Sequence, residues 1–120
     1  MITDFHIHIF PRQDLRKSAF FPADIQAEPE HIKCLLGLAG VDRAIVFGHP
    51  DKQFITSELA NRFVLDASQR FNNLIPFALI DQHVENNIAM GFKGFKEHCY
   101  GQCRLRSSKN KANFADSYLW

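Results

Sequence analysis

Cysteine is scarce: three in 120 residues, an odd count that cannot close completely into pairs. A disulfide-stapled scaffold is therefore not the expectation, and a reducing compartment, the cytoplasm, is. An excess of one charge is lacking too, with 14 Lys and Arg against 13 Asp and Glu and a formal net charge of +1. That balance leaves no basic footprint for nucleic acid and no polybasic signal for a membrane surface. No apolar run reaches the roughly 18 residues of a membrane span, and Met1-Ile2-Thr3-Asp4 has neither the basic start nor the apolar stretch of a secretory leader. Gly-x-Ser-x-Gly, P-loop and dinucleotide glycine signatures are all missing, as are internal repeats and low-complexity tracts.

What is present suits one soluble domain. Hydrophobic residues make up 46% and charged residues 22%, enough to bury a core. Twelve phenylalanines point to a thick core or to a surface that something else covers. Short β-branched or aromatic runs alternate with segments of helical period. Residues 2–10 (ITDFHIHIF) read as a strand of period two, and a polar and aromatic connection follows between Pro11 and Pro22. Pro29 opens a helix that carries Ile32, Leu35, Leu36 and Ala39 and stops at Gly40. Residues 41–48 (VDRAIVFG) form a second strand. A helix over about 54–71 then places Leu59, Phe63, Ala67 and Phe71 on one face, with Ala60 and Val64 beside them. A third strand spans 74–80, with Pro76 marking a bulge or a weak point. A short helix over 82–90 and a fourth strand over 92–99 complete the pattern. Such alternation implies an α/β fold with parallel pairing and right-handed crossovers.

The chemistry gathers on two of these strands. Period two puts Asp4, His6 and His8 on one face and Thr3, Phe5, Ile7 and Ile9 on the other. The second face is nearly all apolar and suits packing under helices. The first offers two imidazoles about 7 Å apart along the strand, by the 3.3 Å rise, which can converge on one divalent ion. Asp4 can orient one of them from behind. The plainer alternative is a solvated polar face with incidental histidines. In Gly91-Phe-Lys-Gly-Phe-Lys-Glu-His98, Lys96 and His98 share a face at the C-terminal end of the fourth strand, where parallel β/α folds collect catalytic groups. Lys96 would bind a metal only with its charge removed, as by carbamylation; otherwise it is an anion clamp or a structural ion-pair partner. His49, just past the second strand, sits at the same end as a loop residue or a substrate contact. His31 and His83 read as surface residues, and Cys34, Cys99 and Cys103 as ordinary thiols, since a zinc knuckle needs two close ligand pairs.

DFHIHIFP, GVDRAIVFG and GFKGFKEH, in this order, resemble the amidohydrolase superfamily of metal-dependent hydrolases. The nearest pattern is its amidohydrolase-related branch, which also holds metal-dependent decarboxylases. The likeness runs over roughly residues 1–98, including the intervening ELANRFVLDASQRFNNLIPFALID. It implies a TIM-barrel-type fold of β/α units, with His6 and His8 as first-strand metal ligands, most simply for one or two zinc ions. It places Lys96 where many members carry a carbamylated lysine, and His98 at a position common in this branch. A full barrel takes about 250 residues, so the expectation is its N-terminal half: four parallel strands and three helices over 1–98, with an irregular or truncated tail over 99–120. The family's remaining metal histidines and its eighth-strand aspartate would lie beyond residue 120. The implied activity is attack of metal-activated water on an amide, ester or lactone carbon of a small-molecule substrate. The alternatives are decarboxylation, or a truncated chain without catalysis that acts as an interaction or homo-oligomerising domain through its exposed sheet edges.

Overall fold

The computed structural model describes residues 1–11, 27–49, 55–80 and 83–97. The connection after Pro11, His98, Cys99, Cys103 and the 99–120 tail lie outside the described residues. Among the described residues, four strands and three helices alternate: β1 (Thr3–His8), α1 (Pro29–Ala39), β2 (Arg43–Phe47), α2 (Ser57–Arg70), β3 (Leu74–Leu79), α3 (Val84–Met90) and β4 (Gly94–Lys96). All neighbouring strands are parallel, in the order β1-β2-β3-β4. This is the expected α/β arrangement of a partial TIM barrel. Among the described residues, no helix is long and apolar enough to cross a membrane.

Local chemistry accounts for the element ends. Pro29 occupies the first turn of α1, where its missing N–H costs nothing, and Gly40 ends the helix in the left-handed region at φ 70°. The Thr56 hydroxyl caps α2 by accepting from the Leu59 N–H at 3.3 Å. Gly91 stops α3 at φ 110°. Pro76 is accommodated without any register shift against β2. Its carbonyl accepts from the Lys93 N–H at 2.9 Å, just before β4 begins. Because N–H and C=O of one strand residue point the same way, the donor that proline lacks would face a position β4 has not yet reached.

The sheet separates two kinds of packing. Ala44, Val46, Leu74, Ala78 and Phe95 meet Ile32 and Leu36 of α1 and Val64, Leu65 and Ala67 of α2 in one core. Ile45, Phe47 and Phe77 form a second cluster, with Ile75 against it, at the alternate positions of the same strands. The helix faces are narrower than their apolar spacing implies. α1 buries Ile32 and Leu36, while Leu35 and Leu38 remain exposed; Leu59 of α2 is likewise exposed. Small residues let the layers close up: a Cβ on Gly48 would lie 2.6 Å from that of Ala60. Glu30 in the first turn of α1 and Arg70 in the last turn of α2 pair at 2.6 Å, and Lys33 and Arg70 both lie against the Phe71 ring, at 4.8 and 5.2 Å from its centre.

One departure from strict alternation matters. Thr3 and Asp4 pair with Arg43 and Ala44, but Ile7 and His8 pair with Val46 and Phe47, so Phe5 and His6 together oppose Ile45. This is a β-bulge. Phe5, expected on the packed face with Ile7 and Ile9, is instead 67% exposed, whereas Ile7 and Ile9 join the core beneath the helices.

Gly94 is the register partner of Phe77, and a Cβ there would lie 2.4 Å from the nearest carbon of the Phe77 ring. Gly94→Ala is expected to lower unfolding stability by about 1–3 kcal/mol, the usual cost of overpacking. Urea denaturation measures it, and Phe77→Leu in the same chain should recover part of the loss.

Candidate active site

The four strands end on His8, Phe47, Leu79 and Lys96, and three of these four residues meet. The Phe47 ring is wholly buried. His6 and His8 each stand edge-on to it, with ring centres 4.9 and 4.6 Å away. The Lys96 Nζ lies over the same ring, 5.5 Å from its centre. His6 and His8 are themselves T-shaped at 5.3 Å. The register explains the convergence: His8 pairs with Phe47 at the end of β1–β2, and Lys96 with Leu79 at the end of β3–β4.

The second imidazole is the more tightly held. His8 Nδ1 donates to the Gly48 carbonyl at 2.9 Å, which leaves the lone pair of the neutral ring on Nε2. Burial lowers its pKa to about 4, and the nearby charges of His6, His49 and Lys96 act in the same direction; the Gly48 bond opposes them. His6 lies closer to solvent. Desolvation lowers its pKa, Lys96 lowers it further, and Asp4 raises it. Both rings are thus disposed to be neutral near pH 7. Asp4 acts through the backbone: its Oδ1 accepts from the His6 N–H at 2.9 Å. His49 is completely buried, with the Phe10 ring edge-on at 5.1 Å. His31 is exposed on α1, His83 is half-buried just before α3, and Cys34 is an exposed free thiol.

Do these residues fit a metal ion? Two imidazoles bound to one tetrahedral zinc at about 2.0–2.1 Å hold their ring centres about 5 Å apart, which agrees with the spacing of His6 and His8. The bond from His8 Nδ1 to a backbone carbonyl is the support that a metal-bound histidine ordinarily receives. The pair fits as two ligands. Among the described residues, no group of three or more His, Cys, Asp or Glu is placed to hold an ion, and His98 lies outside them.

Sequence spacing singled out His6, His8 and Lys96, and the structure brings them together. It did not single out Phe47, on which all three rest, or Asn61. Phe47 was detectable: alternation along β2 places Ile45 and Phe47 opposite Ala44 and Val46, hence on the histidine side. The sequence signal for Asn61, which is buried at 3% exposure on α2, is its place as a polar residue between Ala60 and Val64 in a helical apolar pattern.

No protein-family model matches the chain, and no curated protein matches it in sequence. A solved structure of similar fold is that of a probable 2-pyrone-4,6-dicarboxylic acid hydrolase from Acinetobacter baumannii with citric acid bound. The two share 20% identity at a TM-score of 0.66, over 97% of this chain and 45% of the other. The chain therefore spans less than half the length of that protein, and the likeness establishes the β/α fold.

Because His8 titrates at about 4 when folded and near 6.5 when unfolded, the unfolded chain binds more protons between those values. Its contribution to stability is fully present above about pH 6.5 and is lost as pH falls through about 4. Denaturation midpoints of metal-free protein across pH 4–7 should decline towards acid, and His8→Gln should flatten that decline. An equal slope in the variant would assign the titration to other groups.

Proposed function

We propose that the chain carries the first-strand half of a metal-dependent hydrolase site of the amidohydrolase type, with His6 and His8 as ligands of a divalent ion, zinc above all. One observation carries the reading: two imidazoles disposed to be neutral, at tetrahedral-ligand spacing, stand in the C-terminal half of β1 in a parallel sheet, one with its tautomer set by a carbonyl. The similar fold of a probable hydrolase supports it. When bound, such an ion polarises a carbonyl and lowers the pKa of its water towards about 7. A catalytic zinc takes three protein ligands and an open position, so His6 and His8 supply part of the set, and the family resemblance puts the further ligands beyond residue 120.

The remaining roles follow from this chain's own groups. His8 presents Nε2 because Gly48 holds Nδ1. Phe47 packs edge-on against both rings, and burial lowers the pKa of each. Lys96, held over that ring, places an ammonium beside the imidazoles, where it would clamp an anionic group of the substrate. The substrate class is then a small carboxylate-bearing ester, lactone or amide. The neighbour supports this, being named for a dicarboxylic acid and holding citric acid.

Equilibrium dialysis followed by metal analysis tests the assignment. The 120-residue chain is expected to take up zinc through the His6–His8 pair, and His6→Ala with His8→Ala to take up less. Undiminished zinc in the double variant would refute it. Lys96→Met should leave zinc retention intact while abolishing protection of the chain by citrate in thermal unfolding.

A further inference from the structure

Backbone bonding at the end of β2 leads to a residue outside the metal-ligand set. Along β2, successive residues address alternate neighbours. The Ala44 N–H donates to the Asn73 carbonyl on the β3 side at 3.0 Å, and the Phe47 carbonyl accepts from the Ile9 N–H on the β1 side at 2.9 Å. Val46 stands opposite Pro76, so one further step of the parallel ladder would join the Gly48 carbonyl to the Leu79 N–H. Both groups are bonded elsewhere. The Gly48 carbonyl accepts from His8 Nδ1 at 2.9 Å. The Leu79 N–H donates to Asn61 Oδ1 at 2.7 Å, and Asn61 Nδ2 donates to the Leu79 carbonyl at 3.0 Å. A side-chain amide from α2 thus takes the place of the strand partner that β2 no longer supplies.

We propose that Asn61 is a positioning residue of the His6–His8 site: by binding both backbone polar groups of Leu79, it releases the Gly48 carbonyl to hold His8 as the Nδ1–H tautomer. Without that amide, the buried Leu79 N–H would need another acceptor, and the Gly48 carbonyl is the one the ladder places opposite it. The same bonds fix the end of β3. Leu79 is the register partner of Lys96, and the neighbouring Ile80 N–H donates to the Lys96 carbonyl at 3.0 Å. Asn61 thereby joins the histidine and lysine sides of the site through backbone alone. Its value for catalysis rests on the reading of His8 as a metal ligand; the exchange of hydrogen bonds does not.

Nuclear magnetic resonance of the ¹⁵N-labelled, metal-free chain at neutral pH distinguishes the two tautomers of His8 by their ring-nitrogen shifts. The wild-type chain is expected to show Nδ1–H as the dominant form. Asn61→Leu, which removes both amide bonds, should make it the minor form. Asn61→Asp, which keeps an acceptor for the Leu79 N–H, should preserve it, and Val64→Ala, which removes core contacts from the same helix, should leave it unchanged. A wild-type tautomer in Asn61→Leu, or an equal shift in Val64→Ala, would overturn the proposal. Should Asn61→Leu fail to fold, couplings across hydrogen bonds in the wild-type chain decide. A coupling from the Leu79 amide nitrogen to the Asn61 side-chain carbonyl carbon supports the proposal, and one to the Gly48 carbonyl carbon overturns it. Failure of the chain to bind zinc would refute the metal assignment and leave this readout untouched.

Discussion

The two-faced alternation of β2 is the constraint on which everything else rests. Ala44 and Val46 are completely buried on the side where α1 and α2 pack. Ile45 and Phe47 face the other way, and Phe47 supports the imidazoles. A strand has only two faces, so a single five-residue segment fixes both where the helices sit and where the polar groups gather. The ends of the strands then do the rest. In a parallel sheet, the carboxyl ends all lie on one side, and the backbone groups there run out of partners together. This chain satisfies them with side chains: an imidazole at Gly48 and an amide at Leu79.

Much of this was legible in the residues themselves. Pro29 and Gly40 marked the two ends of α1, and the β-branched run after Val41 announced β2. Alternating strands and helices implied parallel neighbours in sequential order, which the sheet has. Other features depend on contacts that periodicity does not encode. Leu35 fits a helical stripe as well as Leu36 does, yet only Leu36 is buried. The sheet offers α1 a narrower surface than the stripe could cover. The bulge at Phe5 and His6 was hidden for a related reason. Strand period is a property of one chain segment, whereas a register slip belongs to a pair.

The site divides along the same line. His6, His8 and Lys96 could be singled out because each carries chemistry that an apolar strand does not need. Phe47 is apolar in an apolar strand, and its role appears only when three polar groups are found around one ring. Asn61 is the opposite case, a polar residue on a buried helical face. The position alone implied a hydrogen-bond partner, since a buried amide without one is costly. That the partner would be the backbone of β3 required the fold. The similarity to a larger protein of like fold agrees with the β/α order and says nothing of these side chains.

The slip between Asp4 and Ile7 also determines how β1 would respond to a change in length. Residues ahead of it follow one frame relative to β2, and residues behind it another. Adding a residue before Asp4 leaves the frame of Ile7 and His8 intact, because the bulge already separates the two stretches. Adding one between Ile7 and His8 would turn the imidazole into the helix-side core and bring its apolar neighbour to the mouth of the site. The bulge therefore acts as a joint in the first strand, with length variation tolerated on one side of it and excluded on the other.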